Sequence, residues 1–265
     1  MKVRFWGVRG SIPWATRESI AHGCNTPCIE VTRDDGSRLI LDAGSGIVGL
    51  SRSTADRRGV SVLLTHYHWD HVQGLPFFSP MFDAAVTVTI HAPAFNVDRH
   101  WIHRLFESPF FPAPAGDLSM HCDLSFITPG VHDIGGFEVR AQGLNHPGGA
   151  FGYRIRGADG DLVYATDHEL GDPKIDRALS EFAAGAREVI LDAQYTTEEL
   201  ETHAGWGHSS VRDAAAFAAS CDIGRLWLFH HKPGRTDSEL RQLLDAARLI
   251  HDRVEVATEG VSFDV

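Results

Sequence analysis

The most informative stretch of this sequence is His66-Tyr67-His68-Trp69-Asp70-His71. The stretch holds three imidazoles and one carboxylate in six residues, and it directly follows the apolar run at 62–64. A polar loop after a buried strand lies at the edge of a sheet, where functional side chains are commonly presented. These groups would cost free energy if they were buried without partners, and imidazole and carboxylate are ligands that suit zinc. The stretch therefore predicts a metal site.

Four further side chains share one context, because each comes shortly after a β-type run. One loop cannot surround two metal ions alone, so the remaining ligands have to come from elsewhere in the chain. Each of the four, taken singly, would fit a helix cap or a turn equally well. Together they predict one site along one edge of the sheets. They are His146, Asp167, Asp192 and His230.

The composition is that of a globular protein with a large core. The 265 residues suit one large domain or two fused halves, and we expect a single domain over 1–265. Hydrophobic residues make up 43% and charged residues 22% of the chain. The net charge of -11 argues against a broad nucleic-acid-binding surface. An anionic substrate would need local attraction from metal ions or a few Lys and Arg side chains.

The cysteines and the N-terminal residues indicate the cellular compartment in which the protein is expected. The four cysteines are Cys24, Cys28, Cys122 and Cys221. Only Cys24 and Cys28 lie close together in the sequence, so neither a zinc knuckle nor a disulfide framework is predicted. Residues 1–10 lack the apolar core of a signal peptide, and no apolar run is long enough to cross a bilayer. We expect a cytoplasmic protein with no membrane partner.

Strand and helix patterns mix in two similar halves without a Pro/Gly linker between them. This order predicts an α/β fold in which two sheets pack face to face with helices outside, a four-layer αββα sandwich. The Pro- and Phe-rich loop at 108–116 is expected to be a lid, a dimer contact or a surface loop. The predicted strands are 3–8, 28–32, 38–41, 61–65, 86–91, 137–142, 151–156, 162–166, 188–191, 225–230, 254–256 and 261–263, and the predicted helices are 46–57, 95–106, 172–184, 209–219 and 236–251.

A series of short motifs spans nearly the whole chain in a recognisable order. They lie at 23–26, 41–44, 66–71, 146, 152–153, 164–167, 192–195, 207–209 and 229–231. With these motifs the sequence resembles the metallo-β-lactamase superfamily, and within it the branch that holds ribonuclease Z and the cyclic-phosphate phosphodiesterases. The resemblance implies the metallo-β-lactamase fold and a dinuclear metal centre.

The ligand set is what the resemblance implies. One metal would be held by His66, His68 and His146, and a second by Asp70, His71 and His230, with Asp167 bridging both. Two metals that share one carboxylate and one hydroxide can activate that hydroxide as the nucleophile and neutralise charge on phosphoryl oxygens. Asp70 would also orient the nucleophilic water. Zinc is the expected ion, with manganese or iron as alternatives.

His208 is the second informative residue, because the ribonuclease Z branch has a histidine at this place before a helix. The resemblance implies that Asp192 supports it, although the family often has Glu at that position. A carboxylate-held imidazolium is a suitable general acid for the leaving group and can bond a phosphoryl oxygen. The alternative is that His208 is only a residue at the start of a helix.

Several other residues are weaker candidates. Asn25 and Thr26 are expected to line the substrate side of the cleft, and Asp42 to brace the metal loops. His231 is expected to point away from the site, because side chains alternate along a strand. Lys232 and Arg235 are expected either to attract phosphate or to lie on the solvated surface. Tyr195 is expected either to reach the cleft or to pack.

The combined prediction is a phosphodiesterase that acts on a small or cyclic, nucleotide-like phosphodiester. No basic projecting arm of the kind that grips transfer RNA is recognisable, so an RNA-processing endonuclease is less favoured. The main alternative is a lactone, thioester or other ester hydrolase of the same fold, which usually lacks the element at 207–209. A non-catalytic metal-binding protein is disfavoured by the complete ligand set. Relatives also imply a homodimer.

Overall fold

The first sheet has seven strands in the order β14-β1-β2-β3-β4-β5-β6. The computed structural model describes residues 1–51, 59–95, 98, 100–112 and 120–265. Strands β3, β4, β5 and β6 are parallel, whereas β14, β1, β2 and β3 pair antiparallel. The strands are β1 (Lys2–Gly7), β2 (Cys28–Thr32), β3 (Arg38–Leu41), β4 (Val60–Leu63), β5 (Val88–Pro93), β6 (Cys122–Ile127) and β14 (Ser262–Asp264).

The second sheet also has seven strands, in the order β13-β12-β11-β10-β9-β8-β7. Strands β10 to β13 are parallel, and β7, β8, β9 and β10 pair antiparallel. The strands are β7 (Gly130–Ile134), β8 (Phe137–Leu144), β9 (Ala150–Ile155), β10 (Leu162–Ala165), β11 (Glu188–Asp192), β12 (Arg225–Phe229) and β13 (Val254–Val256).

Helices pack on the outer face of each sheet. The first sheet is covered by α1 (Gly46–Ser51), α2 (Trp69–Val72) and α3 (Trp101–Arg104), together with two short 3-10 turns at Leu75–Phe77 and Ser79–Phe82. The second is covered mainly by α4 (Pro173–Ala183), α6 (Val211–Ser220) and α7 (Asp237–Arg248), whose apolar faces meet the sheet. The short helix α5 (Thr197–His203) precedes α6 and has no buried residue. The predicted αββα sandwich is confirmed.

The central core lies between the two sheets. Phe5 of the first sheet meets Trp227 and Phe229 of the second at ring-centroid distances of 5.3 and 6.1 Å. All three belong to one cluster of buried apolar side chains that takes residues from both sheets. Burial of each such side chain contributes about 1.5–3 kcal/mol, so this layer holds the sandwich together.

One edge of the sandwich collects the ends of several strands. Strands β10, β11 and β12 run parallel, and β8 runs in the same direction because both β8 and β10 are antiparallel to β9. Tyr164 of β10 donates a hydrogen bond across the sheets to Asp42, which follows β3, at 2.7 Å. This hydrogen bond joins the strand ends of the two sheets at that edge.

The sequence prediction missed one edge strand of each sheet and was wrong in the short helices. Strands β6 and β7 and helix α5 were not predicted, because their side chains are mostly half-buried or exposed. Within the predicted helix over 95–106, the described residues form α3 at Trp101–Arg104, and residues 96, 97 and 99 lie outside the described residues. The predicted helix over 46–57 begins as α1, but residues 52–57 lie outside the described residues, as do 113–116 of the 108–116 loop.

Part of that loop packs inward. Phe111 contacts Phe106 and Phe77 at ring-centroid distances of 5.0 and 6.0 Å, whereas Phe110 is 92% exposed. Whether the loop acts as a lid or a dimer contact stays a prediction. Within the described residues, no helix has the length and apolar character that crossing a membrane requires. The four cysteines are free thiols.

Candidate metal centre

The 66–71 stretch leaves β4 and turns directly into the short helix α2. His68 is the residue before that helix, and the backbone N–H of His71 bonds the carbonyl of His68 at 3.0 Å. This tight turn brings the rings of His66 and His71 to a centroid distance of 4.3 Å. His66 and His71 are buried while His68 is exposed, so the stretch runs from the interior to the solvent side of the site.

A first group of ligand atoms comes from His66, His68, His146 and Asp167, all within 4.8 Å of one another. The Nε2 atom of His146 lies 3.0 Å from Nδ1 of His68. Oδ2 of Asp167 lies 3.7 Å from Nε2 of His66 and 3.7 Å from Nε2 of His146. Three imidazoles and one carboxylate oxygen at such distances fit the donor set of a zinc site.

A second group comes from Asp70, His71 and His230, again with ligand atoms within 4.8 Å. Oδ1 of Asp167 lies 3.2 Å from Nε2 of His71 and 3.3 Å from Nε2 of His230. Oδ2 of Asp70 is 3.2 Å from Nε2 of His230. Asp167 therefore turns one carboxylate oxygen towards each group, which is the arrangement that a bridging ligand requires.

The residues present fit two divalent cations. The Nε2 atoms of His66 and His71 are buried and have no hydrogen-bond partner. Buried polar atoms normally have a partner, so two orphaned nitrogens that face a shared carboxylate fit the role of metal ligands. Imidazole and carboxylate donors suit zinc first and also accept manganese or iron.

Each buried imidazole of the two groups has a hydrogen-bond partner at its other ring nitrogen, which for His66 is the Thr65 hydroxyl. Nδ1 of His71 lies 2.8 Å from Asp42, and Nδ1 of His230 lies 2.7 Å from the side-chain oxygen of Gln194. Nδ1 of His146 lies 2.9 Å from the carbonyl oxygen of Gly207. These acceptors take the proton on Nδ1, so Nε2 is the nitrogen that faces the centre of the site.

The site carboxylates are anionic. Burial alone raises the pKa of Asp167, but the neighbouring imidazoles of His230, His71 and His66 outweigh it and hold that pKa well below its usual range. The pKa of Asp70 is likewise lowered, because His71 and His230 outweigh the effect of burial. Two anions enclosed by buried imidazoles attract cations, and a bound dication would strengthen this preference.

Three residues of the site adopt a left-handed backbone that side chains other than Gly rarely take. They are Asp42 with φ of 59°, Asp167 with 55° and His230 with 63°. Each comes directly or shortly after a strand, and each contacts another site residue. Such conformations cost of order 1–3 kcal/mol and cluster at functional sites, so the folded structure has to hold them in place.

His208 and Asp192 form a second buried pair next to the ligands. Nδ1 of His208 lies 2.8 Å from Oδ2 of Asp192, which also accepts from the backbone N–H of Asp167 at 3.2 Å. The His208 ring stacks on His230 at a centroid distance of 4.9 Å. Burial opposes protonation of His208, but Asp192 outweighs it and raises the pKa to about 9. A bound dication would lower this pKa.

The structure gives Asn25 and Thr26 internal partners. The Thr26 hydroxyl accepts from the backbone N–H of Ser45 at 2.8 Å and from Gln73 at 2.9 Å, and Thr26 is fully buried. Asn25 accepts from the Ser45 hydroxyl at 3.0 Å. These contacts brace the loops beside the site, and the substrate contact predicted for both residues stays a prediction.

Asp42 and His231 lie as the sequence predicted. Asp42 accepts from the backbone N–H and hydroxyl of Thr65 and from His71, so it braces the metal loop. His231 points away from the ligands and its Nε2 donates to the carbonyl of Ala257 at 2.8 Å. Burial lowers the pKa of His231 to about 3, so this imidazole is neutral.

The two cations after His230 are both paired with one carboxylate. Lys232 lies 2.8 Å from Glu199, and Arg235 donates to the second oxygen of the same side chain. Neither cation is free to attract phosphate in this arrangement. Tyr195 is buried and packs on His203 and His208 at ring-centroid distances of 4.7 and 5.9 Å.

Some residues beside the site were missed by the sequence interpretation. The backbone N–H of Ser11 donates to Oδ2 of Asp70 at 2.7 Å, and Gln194 holds His230. The carboxylate of Glu169 binds two backbone N–H groups shortly before His208. Gln194 lay in a recognised motif, but Ser11 and Glu169 meet their partners through the tertiary fold, which no local pattern signals.

Two seven-stranded sheets with outer helices, and a His/Asp cluster at one edge, define the metallo-β-lactamase fold class. The chain belongs to the beta-lactamase superfamily: the family model described as Beta-lactamase superfamily domain matches residues 37–231. The resemblance drawn from the sequence motifs is confirmed, and the protein is a hydrolase of this superfamily.

Several relatives are similar over their whole lengths. Ribonuclease Z of Haloferax volcanii is 26% identical, over 100% of this chain and 95% of its own. The metallo-beta-lactamase fold protein YhfI from Bacillus subtilis has a TM-score of 0.75 at 21% identity, over 99% of this chain and 98% of that one. A diphosphatase from the PhnP family has a TM-score of 0.77 at 16% identity, over 100% and 97%. The two structural similarities establish the fold.

Proposed function

We propose that this protein is a dinuclear metal-dependent phosphodiesterase that acts on a small or cyclic phosphodiester. One observation carries the proposal: His208, held by Asp192, has a ring nitrogen within 4.8 Å of ligand atoms of Asp167 and His230. A proton donor beside a bridging carboxylate is what cleavage of an ester with a poor leaving group needs. The names of the relatives, ribonuclease Z and a diphosphatase, support phosphate ester chemistry.

The metal ligands in this proposal are the two groups described above. His66, His68 and His146 would hold one ion, Asp70, His71 and His230 the other, and Asp167 both. When bound, two such ions acidify water to a nucleophile and neutralise charge on phosphoryl oxygens. Zinc is the ion proposed, with manganese or iron as alternatives.

The side chains of the protein orient the reacting groups and move the proton. In the proposed reaction His208 donates its proton to the leaving oxygen, and Asp192 holds the imidazole and stabilises its charged form. Asp70 is fixed by the backbone N–H of Ser11 at 2.7 Å and is placed to orient the attacking water. Deep burial of Asp192 and Asp167 keeps bulk water from screening these charges.

Exposed apolar side chains at the rim support a small organic substrate. Trp69, between His68 and Asp70, is 57% exposed, and Trp206, two residues before His208, is 61% exposed. Exposed aromatic rings stack on nucleobases and similar groups, with about 1–3 kcal/mol per stacked base. The pairing of Lys232 and Arg235 with Glu199 leaves fewer cations for a long phosphate backbone.

RNA processing is the second candidate, because curated relatives named Ribonuclease Z match this chain over nearly their whole length. The net charge of -11 argues against it, since binding of extended RNA depends on basic contacts with phosphates. Extended nucleic acid is therefore not the proposed partner. A homodimer remains a prediction.

The test is an assay of the zinc- and manganese-loaded protein on bis(p-nitrophenyl) phosphate, on cyclic nucleotides and on a precursor transfer RNA. We expect turnover of the small substrates, with a loss of at least about 100-fold in His68→Ala. His208→Ala should lose about 10²–10⁴-fold on cyclic nucleotides and much less on the p-nitrophenyl ester, whose leaving group needs little protonation.

His132→Ala, on the edge strand β7, is the matched control and should keep the full rate. Turnover of the precursor transfer RNA alone would move the assignment to the second candidate. A fully metallated protein without phosphodiester turnover would contradict the proposal and favour lactone or thioester hydrolysis.

A further inference from the structure

The segment 205–209, between α5 and α6, carries two groups that the proposed function needs. His208 is the proposed proton donor, and the carbonyl oxygen of Gly207 accepts from Nδ1 of the ligand His146 at 2.9 Å. Gly205 and Gly207 have φ of 83° and 87°. A side chain at Gly207 would also strike the His146 ring, since an added Cβ would lie 2.1 Å from Nδ1. The segment is therefore shaped by glycine for this close approach.

One carboxylate holds this segment from outside. Oε1 of Glu169 accepts from the backbone N–H of Gly205 at 2.8 Å, and Oε2 accepts from that of Gly207 at 2.7 Å. Hydrogen bonds from N–H groups to an ionised acceptor are stronger than those between neutral groups. Because both oxygens are used, the carboxylate fixes the orientation of the segment as well as its position.

The backbone of Glu169 is itself anchored beside the metal ligands. Glu169 follows the bridging residue Asp167 by two positions, and its N–H and C=O bond the backbone carbonyl and the side-chain amide of Asn145 at 2.9 and 2.8 Å. Asn145 directly precedes the ligand His146. The Glu169 carboxylate thus connects the loops of two ligands to the segment that carries His208.

We propose that Glu169 is a positioning residue that acts through His208: it sets the distance between the proton donor and the metal ligands by holding Gly205 and Gly207. The inference rests on the proposed function and goes beyond its ligands and its acid. The hydrogen bonds of the Glu169 carboxylate go to the backbone N–H groups of Gly205 and Gly207, so this side chain would act on the reaction through the segment that carries His208. Removing it should misplace His208 and slow only the step in which the leaving group is protonated.

The activity test is a double-mutant cycle with Glu169→Gln and His208→Ala. Gln keeps the size of the side chain but turns an N–H donor towards one glycine N–H. We expect kcat on cyclic nucleotides to fall about 10-fold with KM unchanged, and to change less than about 2-fold on bis(p-nitrophenyl) phosphate. In the His208→Ala background, Glu169→Gln should have no further effect, because residues that act as one unit are not additive.

Glu201→Gln, on the exposed part of α5, is the matched control and should leave both rates unchanged. An equal loss on both substrates, or an additional loss in the double variant, would overturn the positioning role. A merely structural role would move the melting temperature and both substrates together.

Hydrogen exchange over 203–209 separates this inference from the proposed function. The amides of Gly205 and Gly207 should exchange about 10-fold faster in Glu169→Gln, which corresponds to the loss of a bond of roughly 1–1.5 kcal/mol. Unchanged exchange would overturn the inference even if the enzyme is an active phosphodiesterase. Absence of turnover in the unmodified protein would instead contradict the proposed function.

Discussion

The two candidate ligand groups of the site differ in burial and in the groups that hydrogen-bond their imidazoles from behind. Asp70, His71 and His230 are all buried, and His71 is backed by the carboxylate of Asp42. In the other group His68 is exposed, and the imidazole of His146 is backed by a neutral backbone carbonyl. We call Asp70, His71 and His230 the buried group, and His66, His68 and His146 the open group. A carboxylate behind an imidazole makes it a more basic ligand. We therefore expect the buried group to bind its ion more tightly and the open group to face the substrate.

The largest effect should come from the residue that the two groups share. Asp167→Asn removes one anionic oxygen between the groups, and we expect both ions to bind at least about 100-fold more weakly. Metal content after dialysis, measured by mass spectrometry, checks this. Asp252→Asn, at an exposed side chain, is the control and should keep both ions. Retention of one ion at full affinity would contradict the bridging role.

A smaller and one-sided effect is expected from Asp42→Asn. Asp42 is fully buried and contacts His71 but no residue of the open group except through Thr65. The loss of its charge should weaken only the tighter of two binding steps, by about 10–100-fold. Stepwise cobalt titration followed by absorbance distinguishes the two steps. Weakening of both steps to the same extent would contradict the expected difference in affinity between the two groups.

The smallest effect concerns the support of the loop after His230. Burial raises the pKa of Glu199, but Lys232, the backbone N–H of Thr196 and Arg235 outweigh it and lower this pKa to about 2. A carboxyl whose folded pKa lies below its unfolded value of about 4.3 stabilises the fold above that value and loses this contribution as the pH falls towards 2.

Metal-free Glu199→Gln should therefore be less stable than the unmodified protein at pH 7, by about 1 kcal/mol or roughly 2–4 °C in Tm. The difference should shrink between pH 4.5 and pH 2, as measured by thermal unfolding in buffer with a chelator. Glu201→Gln should show no such difference. A Tm difference that stays constant with pH would show that charge is not its cause.

The sequence predicted the fold best where burial is highest. Strands β2 and β3 lie inside the first sheet and have the predicted bounds, as does the short edge strand β13 of the second sheet. Edge strands β6 and β7 were not recognised, and most of their side chains are half-buried or exposed. Burial is the signal that a sequence carries most clearly, so elements without it were not recognised.

For the site, the strand-end rule predicted which residues come together. The structure brings His146, Asp167, Asp192 and His230 to the 66–71 stretch because β8, β10, β11 and β12 run in the same direction and end at one edge. Their catalytic roles stay predictions. The contacts of Ser11 and Glu169 could not be predicted, because each joins a backbone N–H to a carboxylate of a distant loop and leaves no periodic pattern in the sequence.

The left-handed backbone at Asp42, Asp167 and His230 limits how this site can be re-engineered. If every amino acid were introduced at these positions, the backbone conformation would restrict which of them are tolerated, whatever their ability to bind a metal. Gly, Asn, Asp and His enter the left-handed region more readily than most residues, whereas β-branched side chains are strongly disfavoured. His68, with φ of -62°, is free of this restriction. New ligand chemistry is therefore best introduced at His68, where a change of side chain does not disturb the turn that presents it.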